Sequence, residues 1–261
     1  MIKMIVSDMD GSLLDEKNQL PPDFFSVLDQ IEKKGIRFVV ASGRSYYTLY
    51  DNFTPRSDDI YYIADNGTCV VENGEITYKN VMTREDIIRI LDVGNKIPGI
   101  HMILCGAKSS YVLNDPWMLE MMELYYSKRM IVKDLSEVKD EIFKIGICGS
   151  VEAVQNAHPI FVSMFSKELS VVLSGSVWID IMNRDASKGK ALSRMQEQLG
   201  ITPKETMAFG DFYNDIEMLQ QAHYSFVMEN ANEDMKQHGK FVAKSNREYG
   251  VIQAIKEHIL Y

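Results

Sequence analysis

The sequence predicts an α/β fold, with a Rossmann-like, mostly parallel sheet as its core and an α+β cap domain inserted into it. Short β-rich runs alternate with helical patterns, and most of the runs end in polar residues or glycine. In the middle of the chain, a separate series of strands and helices interrupts this pattern. Strand–helix alternation is typical of parallel sheets. Ligands of such sheets bind beyond the carboxyl ends of the strands. We therefore expect a site where Asp8, Ser42 and Asp211 follow their strands.

Six β-rich runs and two helical patterns support the predicted core. The runs are IKMIVSDMD, IRFVVASGR, IYYIADNG, ETMAFGDFYND, HYSFVMENAN and KFVAKSN. Residues 21–35 and 187–200 each carry an apolar stripe at helical spacing and end in glycine. Two alternating runs within residues 68–80 flank Asn73 and Gly74, a dipeptide that favours a tight hairpin.

The middle of the chain predicts a unit with its own sheet and helices. Short strands and helices alternate there, among them a Met-rich helix, PWMLEMMELYYSKRM, and a strand pair, LSVVLSGSVWIDIMN. The methionines of that helix favour a core face over an adaptable substrate wall. We place the inserted cap at residues 82–183, so the core is discontinuous and comprises residues 1–81 and 184–261.

Composition excludes several classes of function. The chain has 261 residues, 46% of them hydrophobic and 25% charged, which are ordinary globular values. A net charge of −9 argues against a general binder of nucleic acid or anionic membranes. Three widely spaced cysteines indicate reduced thiols and a cytoplasmic protein. No apolar run approaches the roughly 20 residues of a membrane helix, and no obligate protein partner is evident.

Asp8 and Asp10 are two carboxylates at the end of a strand that should be buried, so their charges need compensation. Side chains at i and i+2 of an extended chain point the same way. Two anions side by side repel, and their removal from water is unfavourable unless something compensates. A divalent metal ion is the usual compensation.

Four segments then line up along the chain: DMDGSL at 8–13, ASGR at 41–44, SKGKAL at 187–192 and GDFYND at 210–215. In this order and spacing they resemble the signature motifs of the haloacid dehalogenase-like phosphatase superfamily. The insert between the second and third motifs resembles a class IIB cap of the Cof-type subfamily. The resemblance implies a Mg²⁺-dependent phosphatase acting on a small phosphorylated metabolite.

The chemistry of phosphate-ester hydrolysis gives the first motif its roles. Asp8 can attack phosphorus and form an aspartyl-phosphate. Asp10 can give a proton to the departing oxygen and later take one from water. Gly11 allows a sharp turn at the strand end. Because a carboxylate and a phosphate dianion repel each other, Mg²⁺ must screen both.

The remaining motifs supply candidate phosphate and metal contacts. The Ser42 hydroxyl and the backbone N–H of Gly43 suit a phosphate oxygen. Ser187 is a candidate N-cap, which places Lys188 in a first helical turn, where a bound phosphate would compensate the opposing dipole. Asp211, Asp8 and the carbonyl of Asp10 are the expected Mg²⁺ ligands.

Further residues carry weaker predictions. Asp215 could be a metal ligand, a water-mediated ligand, the partner of Lys188, or only a turn and helix-cap residue. The resemblance makes Asn214 a phosphate or substrate contact. Arg44 could hold a distal anionic group or lie at the surface. Asn66 could face the substrate or only form a turn, and Asn183 is a third candidate at the gap between core and cap.

Three alternatives to a phosphatase stay open at this stage. A phosphomutase would pass the aspartyl-phosphate to a second sugar hydroxyl. A response-regulator receiver domain also groups acids, a hydroxyl and a lysine, but it is about half this length and needs no leaving-group acid. A non-catalytic phosphate-binding sensor would bind without turnover.

Overall fold

The computed structural model describes residues 1–260, apart from the side chains of Leu124 and Tyr125. It contains an eight-stranded sheet and a six-stranded sheet. In chain order the strands are β1 (Met4–Ser7), β2 (Arg37–Ala41), β3 (Tyr61–Ala64), β4 (Cys69–Glu72), β5 (Glu75–Lys79), β6 (Ile100–Gly106), β7 (Ser110–Leu113), β8 (Arg129–Val132), β9 (Ile142–Gly149), β10 (Leu169–Gly175), β11 (Trp178–Asn183), β12 (Thr206–Gly210), β13 (Tyr224–Met228) and β14 (Phe241–Ala243).

Eight α-helices accompany these strands in the described part of the chain. They are α1 (Phe24–Lys33), α2 (Tyr46–Asn52), α3 (Arg84–Gly94), α4 (Pro116–Tyr125), α5 (Val151–Phe165), α6 (Lys188–Leu199), α7 (Ile216–Gln220) and α8 (Gly250–Ile255). The predicted α/β class with a mostly parallel core sheet is confirmed.

The larger sheet has the strand order β14-β13-β12-β1-β2-β3-β4-β5. Strands β14 to β3 are parallel, and β4 and β5 add an antiparallel hairpin at one edge. The register pairs Ser7 at the end of β1 with Phe209 of β12 and with Val40 of β2. The carboxyl ends of these three neighbouring strands therefore meet at one edge of the sheet.

The apolar side chains of β1 explain why helices cover both faces of this sheet. Successive strand residues point to opposite faces. Ile5 joins a core cluster with residues of α1 and α8, whereas Val6 joins another cluster with residues of α6 and α7. Because both faces are apolar, the strand is buried throughout and only its polar end is available for chemistry.

The smaller sheet has the order β10-β11-β9-β6-β7-β8, with β9 and β11 in its interior. Helices α3 and α5 pack on one face. Met118 and Met122 of α4 are buried in a cluster on the opposite face, as expected for a core face. All six strands fall within residues 100–183, and the division at residues 82–183 stays a prediction.

One predicted element is wrong in its extent. The Met-rich helix ends at Tyr125, and the last two residues of the predicted helix, Arg129 and Met130, begin strand β8. Arg129 to Val132 pair in parallel with β7, which supplies the hydrogen bonds that a helix would otherwise make. Within the described residues, no helix combines the length and the apolar character needed to cross a membrane.

Candidate active site

The turn after β1 brings the first motif against the end of β12. The backbone N–H of Asp8 donates to the carbonyl of Phe209 at 3.0 Å. Gly11 then adopts a φ of +84°, and a Cβ at this position would collide with the carboxylate of Asp211. Both facts require glycine here. The close approach places Asp211 directly beside the Asp8–Asp10 turn.

Lys188 lies at the start of α6, as the sequence predicts. The Ser187 hydroxyl caps the helix by accepting from the backbone N–H of Lys190 at 3.1 Å. The Lys188 side chain is buried, and its ammonium donates to Asp8 Oδ1 at 2.5 Å and to Asp215 Oδ1 at 2.7 Å. Burial alone would lower the pKa of Lys188, but the carboxylates of Asp215 and Asp8 outweigh it and raise the pKa.

Asp215 is held on both of its oxygens. Its Oδ1 accepts from Lys188, and its Oδ2 accepts from the backbone N–H groups of Asp211 and Phe212 at 3.0 and 3.1 Å. Of the roles predicted for Asp215, its Oδ1 fits that of the partner of Lys188, and its Oδ2 fits that of a turn and cap residue. They also fix the loop that carries Asp211.

Asp8, Asp211 and Asp215 form a carboxylate cluster whose donor oxygens lie within 4.8 Å of one another. Burial raises the pKa of Asp8 well above its ordinary value, against the opposing effect of Lys188. Burial, and next the charge of Asp215, raise the pKa of Asp211 to about 7. Three carboxylates therefore face one ammonium group, and an all-oxygen donor set with an excess of negative charge fits a hard cation such as Mg²⁺.

Arg44 pairs with Asp10. Its Nε donates to Asp10 Oδ2 at 2.8 Å, and its Nη2 donates to Asp10 Oδ1. The guanidinium is largely buried, whereas the Asp10 carboxylate is 47% exposed. Ser42 is buried, and its Oγ accepts from the backbone N–H of Arg44 at 3.1 Å.

Asn66 and Asn214 are brought together, and Asn183 is not. Asn214 Nδ2 donates to Asn66 Oδ1 at 3.0 Å. Asn66 adopts a φ of +58° in the turn after β3, which asparagine tolerates better than most residues. The Asn183 amide instead donates to Asn80 and to the carbonyl of Val81, where the chain crosses between the two sheets.

A cavity of about 310 Å³ opens at this edge and lies between the two sheets. The larger sheet contributes to its lining from the predicted site residues Asp8, Asp10, Ser42, Gly43, Arg44, Asp211 and Asn214. Lys188, Asn66 and Asp215 are not part of the lining; they act on it through the hydrogen bonds described above.

The smaller sheet closes the other side of the cavity with residues that were not predicted from the sequence, among them Lys144, Trp178 and Asp180. Tyr126, which follows α4 in the Met-rich segment, also lines the cavity. Lys144 and Asp180 each interrupt an otherwise apolar strand, in IFKIGIC and WIDIM. A lone charge in a buried strand was the signal that could have identified them, because such a charge needs a partner.

Comparison with known proteins agrees with this geometry. Residues 5–255 match the model of the haloacid dehalogenase-like hydrolase family. The chain is 33% identical to the 5-amino-6-(5-phospho-D-ribitylamino)uracil phosphatase YbjI of Escherichia coli over 97% of its own length and 95% of the relative's. It is 25% identical to the phosphatase YcsE of Bacillus subtilis, which has the same activity in its name, over 99% of this chain and 96% of that protein.

A solved structure gives the same fold. The crystal structure of SMU.1108c from Streptococcus mutans superposes with a TM-score of 0.92 at 29% identity and covers 100% of both chains. Family model, relatives and fold therefore cover almost the whole chain. The resemblance seen in the four motifs is confirmed, and the chain belongs to the haloacid dehalogenase-like hydrolase family, whose relatives named above are phosphatases.

Proposed function

We propose that this protein is a Mg²⁺-dependent phosphatase that hydrolyses a small phosphorylated metabolite through an aspartyl-phosphate on Asp8. The observation that carries the proposal is the buried ammonium of Lys188, which holds Asp8 Oδ1 at 2.5 Å within a carboxylate cluster at the wall of the cavity. An oriented carboxylate beside fixed positive charge is suited to attack an anionic phosphoryl group.

Each step of the proposed reaction is assigned to one residue. Asp8 attacks phosphorus, and the bond between phosphorus and the ester oxygen breaks. The departing alkoxide takes a proton from Asp10, whose carboxyl group is partly exposed at the cavity and exchanges a bond to Arg44 for that proton. Asp10 then removes a proton from water as the water attacks the phosphorus of the aspartyl-phosphate, which releases inorganic phosphate and restores Asp8.

Lys188, Ser42 and Gly43 would bind the phosphoryl oxygens, and the oxygens of Asp8, Asp211 and the Asp10 backbone would hold the metal. When bound, Mg²⁺ would neutralise negative charge on both the carboxylates and the phosphoryl group. Asp215 would act mainly through Lys188 and the Asp211 backbone, to which it is bonded.

The organic part of the substrate would lie against the smaller sheet. A cavity of about 310 Å³ is at the lower end of the range for small-molecule sites, about 300–1,000 Å³. Its wall contains the aromatic residues Tyr126, Trp178 and Phe212. An aromatic wall and the names of the two relatives support 5-amino-6-(5-phospho-D-ribitylamino)uracil as the first candidate.

The test is inorganic phosphate release from a panel that contains this compound, sugar phosphates, pyridoxal phosphate and nucleotides, with Mg²⁺ and with EDTA. We expect metal-dependent release and the highest kcat/KM for the aminouracil compound. Release without metal, or no release from any compound by folded protein, would refute the proposal. A requirement for a sugar bisphosphate would indicate a phosphomutase instead.

A further inference from the structure

Lys144 is a buried lysine of the smaller sheet that reaches the larger one. It lies in the middle of strand β9, and its side chain is 2% exposed. Its ammonium donates to the carbonyl of Gly43 at 2.6 Å, and it lies 3.2 Å from Asp180 Oδ1 and 3.5 Å from Asp65 Oδ1. An ammonium group has three N–H donors. Three protein oxygens lie within 3.5 Å of this ammonium, so the protein itself compensates its charge.

The Gly43 carbonyl belongs to the loop of residues 42–44, which carries the predicted phosphate contacts. The carbonyls on either side of it are held from within the larger sheet, because Ser42 O accepts from the N–H of Asn66 and Arg44 O from the N–H of Asp65, both at 2.9 Å. The Gly43 carbonyl between them accepts from Lys144. The smaller sheet therefore supplies the central one of three bonds that fix this loop.

Asp180 of β11 makes a second connection of the same kind. Its Oδ2 accepts from Asn66 Nδ2 at 2.6 Å, and Asn66 Oδ1 accepts from Asn214 Nδ2 at 3.0 Å. Because a carboxylate only accepts hydrogen bonds, it fixes which end of the Asn66 amide faces Asn214. The orientation of both amides at the phosphate end of the cavity thus depends on a residue of the smaller sheet.

We propose that Lys144 and Asp180 are positioning residues through which the smaller sheet completes the phosphate-binding end of the cavity. Lys144 fixes the loop at Gly43, and Asp180 fixes the pair Asn66 and Asn214. The phosphoryl group is then bound tightly only when the two sheets are docked. This inference rests on the proposed phosphatase function, but it predicts a coupling that the reaction itself does not require.

The test measures binding of inorganic phosphate in the presence of Mg²⁺ by titration calorimetry, together with kcat and KM for a small and a large phosphate ester. Lys144→Met and Asp180→Asn should each raise the Kd of inorganic phosphate about tenfold or more, because each removes a charged hydrogen bond. The fall in kcat/KM should be equal for both esters, since the phosphoryl site is shared. A residue that recognises the organic group would affect the large ester alone.

Two further variants separate positioning from folding. Lys144→Met leaves two buried carboxylates without their cation, so Lys144→Met with Asp65→Asn is a charge-balanced second variant that still lacks the bond to Gly43. Lys79→Met is the matched control, because the Lys79 ion pair with Glu141 also links the hairpin of the larger sheet to the start of β9 but is exposed. The control should bind phosphate as the wild type does.

The outcomes are distinguishable. An unchanged Kd of inorganic phosphate in both Lys144 variants would overturn the inference, provided that the wild type turns over with Mg²⁺. A lower kcat with unchanged Kd and KM would also overturn it, because that pattern means less folded enzyme. A wild type that neither binds inorganic phosphate nor releases it from any ester would refute the proposed function itself.

Discussion

Replacement of Lys188 by methionine is the sharpest test of the electrostatics at the site. The side chain is 1% exposed and bridges two buried carboxylates at 2.5 and 2.7 Å. Methionine fills similar space without a charge, so the change leaves Asp8 and Asp215 without their cation. Removal of one partner from a buried ion pair costs about 3–5 kcal/mol. We therefore expect the free energy of unfolding to fall by about this amount at pH 8.

The loss of stability in Lys188→Met should depend on pH and on Mg²⁺. The pKa of Asp8 is already raised in the wild type by burial, so in Lys188→Met this group can bind a proton as the pH falls. A group with a raised pKa in the folded state favours folding more at low pH. The stability difference between variant and wild type should therefore shrink toward pH 5. Mg²⁺ should also reduce it, since the cation supplies the missing charge.

The assay is urea unfolding at pH 8 and pH 5, with and without Mg²⁺, alongside phosphate release. Activity should fall at least a hundredfold, the usual effect of losing one group that stabilises charge in a transition state. Lys190→Met is the control, because Lys190 lies on the same helix but is exposed, and its ammonium donates to the carbonyl of Arg184, outside the carboxylate cluster. A Lys188→Met variant with unchanged stability and more than a tenth of the activity would refute the reasoning.

Three other predictions follow from individual residues. In Asp211→Asn, the rise in melting temperature that Mg²⁺ gives the wild type should disappear, because the metal loses a ligand; an equal rise would contradict the metal assignment. Burial raises the pKa of Asp65 to about 6, so in the wild type this group destabilises the fold as the pH rises through that value. Asp65→Asn should therefore gain stability relative to the wild type by about 2 kcal/mol between about pH 4.5 and 7.5 in urea unfolding, and a constant difference would refute the assignment. In Trp178→Ala, KM for the aminouracil compound should rise roughly tenfold while KM for acetyl phosphate stays within about twofold; equal changes would exclude an aromatic contact.

The half of the site that the larger sheet contributes was predictable because it depends on strand ends. Asp8 and Asp211 follow neighbouring parallel strands, and the parallel register brings those ends together without any long-range information. The start of α6 was also predictable, because Ser187 caps the helix and places Lys188 in its first turn. The local sequence and the geometry of parallel sheets were therefore enough to predict where these side chains lie.

The half of the site that the smaller sheet contributes was not predictable in the same way. Lys144 and Asp180 lie within strands of a mainly antiparallel sheet, and their partners Gly43 and Asn66 are more than 100 residues away in the chain. Nothing local specifies how one sheet docks on another. The predicted end of the Met-rich helix at residue 130 was wrong for a related reason. Strand β8 is defined by its pairing with β7, which the local sequence does not show.

The measurement that tests the account most directly compares phosphate release by the wild type and by Asp8→Asn, each with Mg²⁺ and with EDTA. We expect release by the wild type only with metal. We expect a rate for Asp8→Asn at least about a thousandfold lower, with unfolding by urea showing that the variant is folded. If Asp8→Asn kept more than a tenth of the wild-type rate, with deamidation excluded by mass, Asp8 would not be the nucleophile.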